Sequence, residues 1–539
     1  MAIRRRLTAG TCFLLCLVAF LSLHIDGTHA IHAPSGRTTT GLTVVNKQQP
    51  RRRQQERDGH ALLEKSRGGA KETTKSSIPA SVFNLVNNVA GAGILTLSAG
   101  MAAGTGWIPA MIICAILGAI GSHTFCIIGD ACELTGQTDF KASLLLLLVK
   151  LFLRVLSSSL LFSPALRLGW HVSLFFLEQQ QGLWAETIGK DSTYLVDSII
   201  ASMCLACAVI YSGILGDVFT PLLQSIGMDG LRRTTTIVAL TVTLLLPMSL
   251  IKNLSALAFT SVLGFAAILY TVVFVTVRAL DGTYSLPDGL FVAAATAAAS
   301  PDADVAAAVA APAIDLPSFE GSSPYKVGFA SLVLASNLGL AYIAHYNGPA
   351  FYRELDRTSS QRFSRMVRIA FTVLTLLYIV IMVAGYATFG TVCKGNILLN
   401  YNPSDALGLV GRIATGFSIL FGFPLVAAGA REGIAGTVSA LGFPSVPHVV
   451  LVSSILILVT AVSCTVQDVS FVVGLTGAAM GSLIVYIIPP ILYMRALDQR
   501  PEAAKIRPRA KFNAALVPFG AAIGGLGVYM TVKEFMAKQ

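Results

Sequence analysis

Five stretches place polar or ionisable side chains within apolar sequence, and side chains of that kind at membrane depth are candidates for chemistry. The first is Asn87-Asn88-Val89-Ala90-Gly91-Ala92-Gly93, inside the apolar run from Ser81 to Trp107. Glycine disfavours helix, and unwound backbone inside a bilayer persists only where protein or a wet cavity satisfies it. A break here frees backbone around Ala90, Gly91, Ala92 and Gly93. Half-helix ends there offer N–H groups and a positive dipole end to an anionic group such as a carboxylate. The alternative is an unbroken helix whose glycines admit a close neighbour.

The second stretch runs from Ser336 and Asn337 through Gly339, Leu340, Tyr342 and His345 to Gly348 and Pro349. Its proline and glycines interrupt a second apolar segment. His345 titrates near neutrality and is a candidate proton carrier; the alternative is a structural bond to carbonyls freed by the break. The third is Tyr211-Ser212-Gly213-Ile214-Leu215-Gly216-Asp217, where Asp217 reads as a solvated or capping acid or as an intramembrane one. The fourth is Asp130 with Glu133, one turn apart, a solvated membrane-edge pair or a proton relay. In the fifth, Thr415-Gly416-Phe417-Ser418, hydroxyls offer oxygens to a hard cation, unless they bond back to their own helix.

The elements that must hold these residues are membrane helices. Of 539 residues, 54% are hydrophobic and 12% charged, against roughly 25% charged in soluble domains. The chain is therefore an all-α polytopic membrane protein, with a lipid bilayer as its solvent. About eleven spans follow from the apolar segments, near 80–102, 107–131, 194–220, 234–251, 255–278, 326–347, 366–389, 407–430, 447–465, 469–494 and 511–531. The transporting part covers 80–531, and 281–325, rich in Ala, Pro and Asp, reads as a loop between spans five and six. The interruptions then fall in spans one and six, five apart, the spacing an inverted five-helix repeat predicts.

The net charge of +11 sits largely in short connecting segments. Arg353, Arg357, Arg362, Arg365, Arg368, Arg431 and Arg495 all fall on one side if residues before 80 are inside, the positive-inside pattern. That distribution is not a nucleic-acid surface. Arg232 and Arg233 break it. Residues 1–30, with Arg4-Arg5-Arg6, an apolar run and Thr28-His29-Ala30, read as a signal peptide, and 31–79 as a basic, transit-like tail. The pair resembles bipartite plastid presequences, with Ile31 where those have Phe. A plastid envelope or an endomembrane fits such a leader; a vacuolar or plasma membrane is the alternative. Residues 141–182, Leu- and Ser-rich, spoil the charge pattern as a twelfth span and read as an insertion.

There is no Walker loop, no nucleophile elbow and no paired metal-ligand motif, so the sequence points away from an enzyme and calls for no cofactor. Cys204 and Cys207 read as packing.

With these residues in view, the chain resembles the amino acid/auxin permease family. FNLVNNVAGAGILTLSAGMAAGTGW is similar to that family's first span, LPMSLIKNLSALAFTSVLGF to its fourth and fifth, and AHYNGPAFYREL to the inner half of its sixth. GYATFGTVCKGNILLNY, FGFPLVAAGAREG and VVGLTGAAMGSLIVYIIPPILY resemble later segments. The resemblance implies a LeuT-type 5+5 inverted repeat with broken helices 1 and 6. It implies a secondary active transporter of amino acids, neutral ones by default; a receptor that senses amino acids on the same fold is the alternative. Substrate would lie against Ala90, Gly91, Ala92 and Gly93 on span one. On span six it would meet unwound backbone near Ser336, Asn337, Gly339 and Leu340, with Tyr211 and Tyr342 setting selectivity. Coupling to H+ or Na+ would involve Asn87, His345 and Ser418. Sodium-coupled relatives carry a span-eight Thr where this chain has Leu420 or Gly422, which weighs against sodium coupling and leaves proton coupling or a passive exchange mode open.

Overall fold

The computed structural model describes residues 76–135, 183, 187–188, 192–228, 230–251, 258–298, 315–466, 468–498 and 507–538. The signal-like segment, most of the basic tail and the 141–182 insertion lie outside the described residues.

Regular structure among the described residues is helical, with two isolated β-bridges. Span one is α1 (Ile78–Val89), a 3-10 turn (Ala92–Thr96) and α2 (Leu97–Ala102), with the two arms bent by 52°. Span two is α3 (Trp107–Thr135), and span three is α4 (Thr193–Ser225). Span four is α5 (Arg233–Leu250), which contains a π turn over Thr241–Leu245. Span five is α6 (Ala258–Asp281), followed by the short α7 (Leu290–Ala298). Span six is α8 (Ser331–Ala341), a 3-10 turn (His345–Asn347) and α9 (Gly348–Glu354). Spans seven, eight and nine are α10 (Ser360–Phe389), α11 (Ala406–Ala440) and α12 (His448–Thr465). Span ten is α13 (Val469–Asp498), π-helical over Gly477–Ile487, and span eleven is α14 (Arg507–Lys538).

Among the described residues, nine helices are long and apolar enough to cross a bilayer, and the bent pair in span one makes a tenth. The expected eleventh is span six. Its arms are 11 and 7 residues long and too short singly, because the segment is broken as its sequence predicts. Large aliphatic side chains face outward along these helices, Val242 at 61% and Ile457 at 71% exposed, as lipid contact requires. The expected loop 281–325 needs one correction. LFVAAATAA within it forms α7, because alanine is the best helix former and nothing in that run breaks a helix.

Two ion pairs with buried carboxylates fasten helices to one another. Asp405 is the N-cap of α11 and wholly buried; its carboxylate accepts from the Leu407 and Gly408 amides. Arg278 at the end of α6 donates to both its oxygens at 2.6 and 2.9 Å, and the Tyr284 hydroxyl adds a bond of 3.1 Å. The second pair explains one of the two arginines that break the charge pattern. Arg233 at the start of α5 donates to Asp217 of α4 at 2.6 Å, and to the carbonyls of Ser463 (2.9 Å) and Gly213 (3.2 Å). Asp217 is therefore neither a solvated nor a capping acid. Asp130, partly exposed, and Glu133, exposed, stand near the end of α3 as the solvated edge pair was expected to, and have a further task. They receive the Ser360 hydroxyl and amide, capping the N-terminus of α10, where negative charge is favoured.

Replacing Asp405 with Ala leaves Arg278 with the Asp281 carboxylate alone, 2.7 Å away, and strips the Leu407, Gly408 and Tyr284 donors of their acceptor; it is expected to cost about 1–3 kcal/mol in thermal or denaturant unfolding of the purified protein. The double variant Arg278→Met, Asp405→Asn is expected to lose less, since the asparagine oxygen still accepts.

Candidate functional site

The break in span one is local and small. The α1 hydrogen-bond ladder runs to Ala90, whose amide reaches the Val86 carbonyl at 2.8 Å. Ala90 and Gly91 then leave helical dihedrals, with ψ of 76° and −158°. The Ala92 and Gly93 amides take no backbone acceptor among the described residues. Gly91 and Gly93 are half-buried, in a stretch otherwise packed shut. A Cβ at Gly93 would sit 3.3 Å from the Ala341 Cα at the end of α8. The two interrupted spans thus meet at their breaks.

Span six unwinds one turn later than its sequence suggests. Ser336, Asn337, Gly339 and Leu340 lie in regular helix, and the chain departs only at Tyr342 to Ala344. Gly339 is not a breaking residue. A Cβ there would lie 2.7 Å from the Gly477 carbonyl, so its glycine serves a close approach to α13. Pro349 stands in the first turn of α9, the place a helix tolerates it.

Polar side chains then close the groups the breaks leave open. The Tyr378 hydroxyl of α10 lies 2.7 Å from the Ala341 carbonyl and 3.3 Å from that of Val89, one on each broken span. Asn337 donates to the Thr96 carbonyl at 3.2 Å. Asn347 donates to Asn88 at 3.2 Å. Tyr378 is invisible to a search for breaks, since it sits in an ordinary apolar helix; Asn347 and Asn88 stood within the chosen stretches without a role.

The candidate residues divide into two groups. Tyr211 faces the break: a Cβ at Gly91 would lie 3.5 Å from its hydroxyl, and one at Gly422 of α11 would lie 3.5 Å from its ring. Tyr346, partly buried in the 3-10 turn of span six, lies within electrostatic range of Tyr211. Tyr342 turns away. It is fully buried, bonded to Thr375 at 3.0 Å and to the Cys114 carbonyl at 3.2 Å, in a niche kept open by Gly118. His345 also points into the bundle. Its Nε2 lies 3.0 Å from both the Gly121 carbonyl and the Thr124 hydroxyl of α3, with Phe125 and Phe371 rings alongside. Because a carbonyl only accepts, the Gly121 bond places a proton on Nε2. The structural partner of His345 is thus span two, not the carbonyls of its own break. Asn87 is half-buried at the end of α1. Ser418 packs against α6, its hydroxyl 2.8 Å from where a Gly264 Cβ would stand, and the span-eight position facing Tyr211 is Gly422.

The arrangement offers two open amides, a tyrosine hydroxyl near Gly91 and backbone carbonyls of a second break. It suits a small molecule with an anionic group and a hydrogen-bond donor. Among the described residues there is no cluster of metal-ligating side chains.

The family described as "Transmembrane amino acid transporter protein" matches residues 74–533. A mouse protein named "Putative sodium-coupled neutral amino acid transporter 11" is 24% identical over 468 residues, 85% of each chain. For the macaque (Macaca fascicularis) and human proteins of that name the match is shorter, 196 residues at 25% and 24% identity. It spans 36% of this chain and less than half of theirs, 42% and 47%. The fission yeast (Schizosaccharomyces pombe) protein "Vacuolar amino acid transporter 5" is 26% identical over 310 residues, 55% of this chain and 65% of its own.

Tyr378→Phe keeps the ring and removes the bridging hydroxyl. It is expected to lower stability by about 1–3 kcal/mol, the cost of a buried carbonyl left unpaired. Amide exchange across residues 89–94 and 341–345 is expected to quicken. Unchanged exchange at both breaks would show that Tyr378 does not hold them.

Proposed function

The chain belongs to the transmembrane amino acid transporter family, and on that premise we propose that it moves amino acids, neutral ones by default, across a membrane by secondary active transport. The family and the named relatives are transporters rather than enzymes. The observation that carries the reading is the pair of open amides at Ala92 and Gly93, set where the broken spans touch. They suit a carboxylate, whose charge a half-helix end favours. The ammonium meets the unwound span-six backbone past Ala341, one turn beyond the stretch expected from the sequence. The substrate side chain lies toward Tyr211 and Tyr346. The absence of acidic or basic side chains among these groups supports a neutral substrate.

Transport proceeds by alternating access, with two five-helix repeats in inverted orientation and the site between spans one and six. The coupling ion is a proton or Na+. The mouse relative's name specifies sodium coupling for that protein. Here the span-eight side facing the break presents Gly422, which has no side-chain oxygen.

The protein acts in an organelle membrane. The signal-like and transit-like leader supports this, and the fission yeast relative is named as vacuolar. A fluorescent fusion of the full chain is expected on the plastid envelope or the vacuolar membrane; fluorescence confined to the endoplasmic reticulum or plasma membrane would overturn that placement.

Reconstituted into proteoliposomes, the protein is expected to take up labelled neutral amino acids down an imposed proton or sodium gradient. Gly93→Val is expected to abolish that uptake with the protein still inserted, because bulk at that position meets Ala341 and blocks approach to the backbone. Normal uptake by this variant would refute the site. Substrate binding without flux would assign the pocket to a receptor.

A further inference from the structure

The stretch of span six that leaves helix, Tyr342 to Ala344, is bracketed by two side chains that both reach span two. At its start the Tyr342 hydroxyl lies 3.2 Å from the Cys114 carbonyl. Just past its end, His345 Nε2 lies 3.0 Å from both the Gly121 carbonyl and the Thr124 hydroxyl. Cys114 and Gly121 stand about two turns apart on α3. The stretch is therefore fastened to one unbroken helix at both ends. Between the fasteners its backbone stays open. Tyr378 answers the Ala341 carbonyl, and the Asn347 amide answers that of Ala344. The Tyr342 and Ile343 carbonyls receive no backbone N–H among the described residues.

Both fasteners are polar groups in places that apolar side chains would fill. His345 is 0% exposed, with the Phe125 and Phe371 rings beside it and Nδ1 without a partner among the described residues. Burying a polar atom unpaired is costly, and an aliphatic side chain would fill the space without that cost. What the imidazole adds is its Nε2–H. The Gly121 carbonyl only accepts, so Nε2 holds the proton. Thr124 gives its own hydrogen to the Ile120 or Gly121 carbonyl, so its oxygen receives as well. Tyr342 is likewise 0% exposed, stacked on Phe371, where a plain phenyl ring would pack and reach nothing. Its hydroxyl also meets that of Thr375 on span seven at 3.0 Å.

We propose that His345 and Tyr342 are positioning residues for the amino group of the substrate: by tying both ends of the unwound stretch to span two, they hold the Tyr342 and Ile343 carbonyls in the direction an ammonium needs. This assignment rests on the transport reading for its ligand; the tie to span two does not. Hydrogen bonds to a cation are strong and weaken steeply off line. Carbonyls free to swing therefore lose affinity although no contact atom has been removed. The two side chains need not touch the substrate, and the role asks for no change of charge on the ring. Recognition is then divided. The span-one amides meet the carboxylate, and a stretch set by span two meets the ammonium.

The test has two arms, both on the full-length protein. Without ligand, amide exchange across residues 342–347 is compared in wild type, His345→Leu and His345→Gln. His345→Leu cuts the tie and is expected to speed exchange about tenfold. His345→Gln, whose side-chain N–H reaches the same carbonyl, is expected to restore most of the protection. In proteoliposomes, uptake of labelled alanine, leucine and phenylalanine is measured with the deaminated acids, such as propanoate for alanine, as competitors. His345→Leu is expected to raise the KM about tenfold. The maximal rate per inserted protein and the inhibition by the deaminated acid are expected to stay as in wild type, and His345→Gln to bring the KM back. Tyr342→Phe is expected to move both readouts the same way, and serves if His345→Leu does not insert. Exchange unaltered in both variants would overturn the proposal. So would a lower maximal rate at unchanged KM, or an equal loss for the amino acid and its deaminated acid, the marks of a merely structural role. If the exchange arm holds while the wild type takes up none of the three amino acids, the transport reading falls and takes the amino-group role with it, leaving the tie.

Discussion

Hydrocarbon supplies no hydrogen bonds, so each backbone group exposed by breaking a membrane helix must be answered by the protein or by something it binds. Most of the interior of this chain is arranged around that demand. Two spans break side by side, and the groups they release are met from three directions. Tyr378 reaches the carbonyls on both sides from span seven, Asn337 crosses from span six to span one, and Asn347 pairs with Asn88. The Ala92 and Gly93 amides are left over.

The polar contacts described above also sort the helices. Spans one, two, six and seven are bound to one another through Tyr378, Tyr342, His345 and the Asp130–Glu133 cap on α10. Spans three, four and nine are bound by Arg233 with Asp217, and span five is bound to span eight by Arg278 with Asp405. Between the sets, near the breaks, the contacts are Tyr211 against Gly91 and the close-packed faces of apolar helices. Sliding across apolar faces breaks few hydrogen bonds, whereas separating members of one set strands buried charges or carbonyls, at several kcal/mol for a charge. The division sets the open amides on the boundary between span one and span three.

Much of this was legible beforehand. Apolar segments located the spans, with most ends within a few residues and the end of span eight ten residues short, because a bilayer leaves a helix few alternatives, and paired amides with glycines located the break at Gly91. What stayed hidden depended on partners distant in sequence. Nothing near Tyr378 marks it as the group between two breaks. Asp217 looked solvated because Arg233 lies 16 residues away, across a turn. His345 was read as a proton carrier or a partner of its own break, while the groups that receive its ring, Gly121 and Thr124, stand more than 200 residues earlier. Tyr342 and Tyr211 looked equivalent as aromatics beside glycines, and only the niche at Gly118 sends one of them inward.

The glycines teach the sharper lesson, since Gly339 was read in the same way as Gly91 and Gly93 and does opposite work. Gly339 and Gly477 lack Cβ atoms because helices press backbone to backbone there; both are buried, and α8 continues unbroken through Gly339. Gly91 and Gly93 lie half-open, and the chain leaves helical geometry between them and Val89. Helix propensity is equally poor at all four positions, so propensity does not decide where a membrane helix unwinds. Tertiary contact bears on it: Gly339 and Gly477 meet each other's helices backbone to backbone, whereas Gly91 meets the Tyr211 hydroxyl and Gly93 the very end of α8. Span six unwinds past Ala341, beyond the glycine contact with α13, and its break falls opposite Gly93.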